Sequence, residues 1–143
     1  MNKKIVIMFI VAIIGIFLVN FTSNKSEETN NVIFHVTLAD PDLYINGVYT
    51  KKFTINDGQY SFRFVPNGSS PEILSITISG KNFEISEDFK LKNTLHETEI
   101  SEFFTWKYDG EKIIEISEMQ EVSITINPNG NVMGSISVDI LEN

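Results

Sequence analysis

Two histidines, His35 and His96, and two methionines further along, Met119 and Met133, are the donors with which this chain could hold copper. A blue-copper centre adds a cysteine thiolate to two imidazoles. The chain has no cysteine, so only a thiolate-free copper site built from these residues stays open. Hard oxygen donors are more numerous. Asp40, Asp42, Asn46, Asp57, Glu87 and Asp88 fall where turns are expected, and calcium takes such carboxylates and carbonyls. An EF-hand loop starting at Asp40 would need glycine at position 45 and glutamate at 51, where the chain has Ile45 and Lys51. The metal-ligand candidates are therefore Asp40, Asp42, His35 and His96, with turn formation and solubility as the competing roles.

Other side chains are weaker carriers of chemistry. Glu87 and Asp88 are adjacent on an extended segment, so they point to opposite sides and make a poor acid/base pair. Arg63, the lone arginine, could clamp an anion, but a solvent-face position paired with a cross-strand glutamate is the expected role. Trp106 is the single tryptophan and could form a sugar-binding platform. Its parity with Phe104 and Tyr108 instead puts it on the face expected to be buried. Asn67, in Asn67-Gly68-Ser69, is the best-placed glycosylation acceptor. There is no G-x-S-x-G elbow, H-E-x-x-H pair, Walker loop or G-x-G-x-x-G turn, and no catalytic residue or cofactor is expected.

The elements that would position these residues are strands. From Val32 onward Val, Ile, Phe, Tyr and Thr alternate with polar residues, punctuated by Asn, Gly, Asp and Pro. Tight turns at Asn56-Asp57-Gly58, Asp109-Gly110 and Pro128-Asn129-Gly130-Asn131 each predict a hairpin. The stretch from Gly80 to Ser101 reads as less regular, with a short strand near Asn82 to Ile85 and His96 in a loop. Eight to ten strands, each with one apolar face, predict an all-β domain over 32–143. The expected architecture is a two-sheet antiparallel β-sandwich, immunoglobulin-like or jelly roll, following an N-terminal hydrophobic helix.

That helix belongs to residues 1–21. Lys3 and Lys4 precede an unbroken apolar run from Ile5 to Val19, the pattern of a signal peptide, and no small-x-small cleavage site follows it. The segment therefore reads as a signal peptide or a signal anchor, with residues 5–19 in the membrane if uncleaved, Lys3 and Lys4 on the cytoplasmic side and everything after Phe21 on the outer side. Residues 22–31 are polar throughout and read as a flexible linker. Beyond them stand 8 Lys and Arg against 17 Asp and Glu, a net of −9. This balance excludes a nucleic-acid binder built on a cationic face.

The run Gly58-Gln59-Tyr60-Ser61-Phe62-Arg63-Phe64-Val65-Pro66-Asn67-Gly68, with Glu87-Asp88-Phe89, Thr105-Trp106-Lys107-Tyr108-Asp109-Gly110 and Ile126-Asn127-Pro128-Asn129-Gly130-Asn131, resembles small exported proteins of ammonia-oxidising archaea. Its G-x-Y-x-F-x-F strand also resembles those of GOLD and pre-peptidase C-terminal sandwich modules. The resemblance implies cell-surface placement and a β-sandwich, and no activity. The leading expectation is a non-catalytic, membrane-anchored or secreted cell-surface module with a protein or glycan partner. The alternatives are a filament subunit of the pilin or archaellin kind and an exported copper- or calcium-binding sandwich.

Overall fold

The computed structural model describes residues 31–143. The expected signal peptide or anchor of residues 1–21 and all of the expected linker but Asn31 lie outside the described residues. Asn31 itself opens the first strand. Among the described residues no helix is long and apolar enough to cross a membrane.

Nine strands follow: β1 (Asn31–Leu38), β2 (Tyr49–Ile55), β3 (Gly58–Pro66), β4 (Ile73–Ser79), β5 (Glu84–Glu97), β6 (Glu102–Asp109), β7 (Ile113–Ile116), β8 (Gln120–Asn127) and β9 (Ile136–Glu142). They form two antiparallel sheets, ordered β1-β9-β3-β7 and β2-β8-β4-β5-β6. The pairs β4·β5, β3·β7, β2·β8 and β1·β9 are nested, as in a long hairpin rolled onto itself. Pairs β3·β9 and β4·β8 close the roll, and β6 adds to the outer edge of β5.

The alternation expected from the sequence places the core. Leu74, Ile76 and Ile78 of β4, Val122, Ile124 and Ile126 of β8, and Ile136, Val138 and Ile140 of β9 are all sealed between the sheets. β-Branched side chains suit this layer because they are stiff and pack well on a pleated surface.

The three predicted hairpins are a correction. β2 and β3 flank Asn56-Asp57 yet lie in different sheets, and so do β6 and β7 around Gly110 and β8 and β9 around Asn129-Gly130. Each tight turn is an arch that carries the chain from one sheet to the other. Alternation cannot separate the two outcomes, because a hairpin sets two apolar faces side by side and an arch sets them face to face. At Gly110 the φ of +155° and the 2.7 Å that would separate an added Cβ from the Phe89 ring both require glycine. The last strand also starts later than its alternation suggests, at Ile136, because Pro128 to Ser135 is spent in the crossing.

The true hairpins lie where the sequence reads as irregular. β4 turns through Gly80–Phe83 into β5, and β5 turns through Thr98–Ser101 into β6. β5 is the longest strand, 14 residues, and His96 belongs to it rather than to a loop. Its Glu, Asp, Lys and Asn residues are poor strand formers individually, and pairing with β4 along its first half and with β6 along its second overrides that preference.

The arch is directly testable in a cysteine-free chain. Thr50→Cys with Thr125→Cys, whose hydroxyls lie 3.3 Å apart across β2 and β8, should oxidise to a disulfide. Lys52→Cys with Ser61→Cys, which a hairpin at Asn56-Asp57 would set opposite each other, should stay reduced. Non-reducing gel mobility reads both.

Candidate binding groove

β5 is longer than the neighbour that pairs with it. Register with β4 ends at Ile73 and Lys90, one further bond runs from the Leu91 amide to the Glu72 carbonyl at 2.8 Å, and Lys92 to Glu97 then pair only with β6. The two strands leave the sandwich as a ribbon. Its root is fixed by Phe89 and Tyr108, both buried, in an aromatic cluster with Phe62 and Phe64 whose ring centroids lie 4.7–5.9 Å apart.

Past that root the inward row continues through Leu91, Trp106, Leu95 and Phe104, while the opposing sheet has ended. Trp106 is half-buried and Phe104 is 54% exposed. The parity that predicted a core position for Trp106 is right about the face, and the expected burial is corrected because no second sheet covers it there. At the ribbon tip Ile100 is 95% exposed. On the outward face His96 stacks on Phe103, with ring centroids 4.9 Å apart, and its Nε2 lies 2.8 Å from the Thr105 hydroxyl.

The loop Asn67–Glu72 forms the other wall. The Tyr108 hydroxyl donates to the Pro71 carbonyl, and buried Ser70 donates to the Ser135 carbonyl while accepting from the Asn67 amide. Burial, and then the nearby Tyr44, push the Tyr108 phenol up, so it stays a neutral donor. Gly68 sits under the indole, where an added Cβ would be 3.2 Å from Trp106 Cζ2. Between loop and ribbon lies a groove of about 560 Å³ walled by Gly68, Ser70, Glu72, Leu91, Asn93 and Trp106, with Lys90 and Lys92 on its rim.

The charge pattern of the ribbon is unusual. Lys92 faces Lys107 across the strands, and Glu97 faces Glu102. Like charges directly opposite each other are unfavourable in a sheet. Among the described residues Lys90, Lys92 and Lys107 take part in no ion pair.

The metal candidates fall apart spatially into structural roles. Asp40 caps the short 3-10 turn Pro41–Leu43, its carboxylate accepting from the Asp42 amide at 3.0 Å, and both aspartates are exposed. His35 is on β1 in one sheet and His96 on β5 in the other. Among the described residues no three His, Asp or Glu gather into a metal-holding group. Asn67 is exposed, and its carbonyl oxygen accepts from the Ser69 amide and hydroxyl. Sequence reasoning missed the groove residues Lys90, Leu91, Lys92 and Asn93. The available signal is the period-two run Phe89, Leu91, Asn93, Leu95 inside the stretch that reads as irregular.

His35 has a different partner. On the outer face of the first sheet, Asp139 of β9 is only 2% exposed, held between His35 Nδ1 of β1 and Arg63 of β3, whose Nε donates at 2.9 Å. The cross-strand glutamate expected for Arg63 is corrected to this buried aspartate, which the register of β3 with β9 sets opposite it. Burial pushes the carboxyl up, but bonds from His35 and Arg63 outweigh it and hold Asp139 below the ordinary value. Thr37 lies 3.4 Å from His35 Nε2, in the order hydroxyl, imidazole, carboxylate, yet its hydroxyl is engaged by Ser137 at 2.8 Å. With Arg63 neutralising the carboxylate, the cluster reads as a lock across three strands.

No protein-family model matches the chain, and no curated protein or solved structure does either.

The lock sets a pH dependence. A carboxyl with a lowered folded value stabilises the fold above its unfolded value of about 3.8, and that contribution is lost as pH falls through the folded value. Asp139→Asn should cost about 1–3 kcal/mol at neutral pH. It should also flatten the acid limb of stability between about pH 5 and 2, as read by urea unfolding across that range.

Proposed function

We propose that this chain is a non-catalytic module working outside the cytoplasm, secreted or held at the membrane by residues 5–19, that binds a protein or glycan partner at the cell surface. The observation that carries this reading is the ribbon, which extends the apolar row of the sandwich past its core, exposes Leu95 and Phe104 beyond the Trp106 groove, and carries exposed Phe103 on its other face and Ile100 at its tip. Large apolar side chains gathered on one projecting element mark interaction surfaces in soluble domains. The lysine-led apolar run at the N-terminus supports placement outside the cytoplasm, as does the resemblance to small exported archaeal proteins.

The nested strand order, with β6 as an added strand, supports a jelly roll over an immunoglobulin fold. Jelly rolls include lectins and capsid subunits, and a fold alone assigns neither role, so the weight rests on the groove and ribbon.

Two measurements test the reading. With the full-length chain expressed in its own host, protease added to intact cells should digest the domain. Mass spectrometry of the native N-terminus should show either an intact Met1 or a start between Phe21 and Asn31; a start at Ile5 would favour a filament subunit and defeat the proposal. Phe104→Ser, at an exposed position, should leave stability within about 1 kcal/mol of the parent. The same change should weaken cross-linking of the domain to its cell-surface partner on intact cells by about tenfold or more, whether or not residues 5–19 stay in the membrane. Unchanged cross-linking would remove the ribbon from the account.

A further inference from the structure

The reading above leaves the ligand's chemistry open, and the ribbon's backbone narrows it. The Leu91 amide is aimed at the β4 side, where it bonds Glu72. Strand geometry sends the N–H and C=O groups of every second residue to the same edge, so those of Asn93 and Leu95 point the same way. Nothing among the described residues pairs with that edge beyond Glu72, since β4 stops at Ile73 and the loop turns away under Trp106. An unpaired strand edge lining a groove is a template for another strand.

We infer that the open edge of β5 from Lys92 to Glu97 takes an extended acidic segment of a partner protein as an added strand. The inference rests on the surface-binding reading and names its ligand. Six residues at about 3.3 Å each give an edge of roughly 20 Å. Side chains of an added strand alternate between two environments. Those on the inner side meet Leu95, Asn93 and Trp106 in the groove, which suits apolar residues. Those on the outer side lie beside Lys92, with Lys90 diagonal to them and Lys107 one strand further on. Lys92 and Lys107 face each other on a domain that is otherwise strongly acidic, with Lys90 opposite Asp109 nearer the root, and carboxylates arriving on the outer face relieve the Lys92·Lys107 repulsion. Glu72 and Glu97 lie at the two ends of the edge, so the acidic residues belong on the outer side of the added strand rather than the inner.

Other occupants fit less well. A glycan offers no regular ladder of amides to match Asn93 and Leu95. A membrane surface is disfavoured because Glu97, Glu99 and Glu102 surround Ile100 at the tip.

The probe is a capped heptapeptide alternating valine and glutamate, titrated into the full-length chain in neutral detergent. Its lysine counterpart, a version N-methylated at alternate amides, and polyglucuronate serve as comparisons. The acidic peptide should bind with an affinity that falls as salt rises, and should slow amide exchange at Asn93 and Leu95 by about tenfold or more. Lys92→Glu with Lys107→Glu, both at exposed sites, should weaken it by about tenfold or more. Equal binding of the lysine or N-methylated peptide would overturn the inference, as would tighter binding of polyglucuronate. Self-association abolished by the charge reversal would hand the edge to a second copy and overturn it too. Loss of partner cross-linking in Phe104→Ser, together with failure of every peptide, would defeat this inference and leave the surface-binding reading standing.

Discussion

The structure hangs on the register of β9. This strand lies between β1 and β3, and its alternate residues face two unlike surroundings. Ile136, Val138 and Ile140 enter the layer shared by the two sheets, where each fully buried side chain is worth about 1.5–3 kcal/mol. Ser137 and Asp139 face the other way. A slip of one residue would drive Asp139 into that apolar layer and expose the isoleucines. The slip is opposed from both sides at once, because the carboxylate that cannot enter the core is gripped outside by His35 and Arg63 from the two flanking strands. With β9 set, β1 and β3 are set beside it, and their arches fix β2 and β4 in the second sheet.

That second sheet is the wider one, and its excess is the origin of the groove. The inward row of β5 and β6 begins as core at Phe89 and Tyr108 and ends as surface at Leu95 and Phe104, without any break in the alternation. What changes along the row is the presence of a facing sheet. The loop from Asn67 to Glu72, pinned by Tyr108 and Ser70, covers part of the uncovered face and leaves the remainder as a lined channel beside an open strand edge. Rigidity at the root and exposure at the tip thus arise from one periodic sequence crossing the boundary of one core.

Much of this was legible in the residues themselves. The inward positions of β1, β3, β4 and β8 follow from period two, and the cross-strand pairing of Arg63 follows from its outward parity, although its partner is Asp139 and not a glutamate. The groove was less legible. Its residues come from the middle of the chain, where Lys90, Lys92 and Asn93 mask a strand that exists only because β6 and the end of β4 pair with it. Trp106 was assigned to the right face and given the wrong environment, since parity reports which side a residue is on and says nothing of what lies opposite.

The alternation of the sequence determined by itself that this chain forms strands with one apolar face each, where most of those faces lie, and that cysteine chemistry plays no part. Those properties are local, set by side-chain period and residue type. Tertiary structure alone decided that Asn56-Asp57, Gly110 and Asn129-Gly130 cross between sheets instead of closing hairpins, and that β5 and β6 outrun their cover. Hairpin and arch bury the same residues of the same strands. The choice between them is made by which distant strand offers its edge and its apolar face, and no short window of sequence contains that partner.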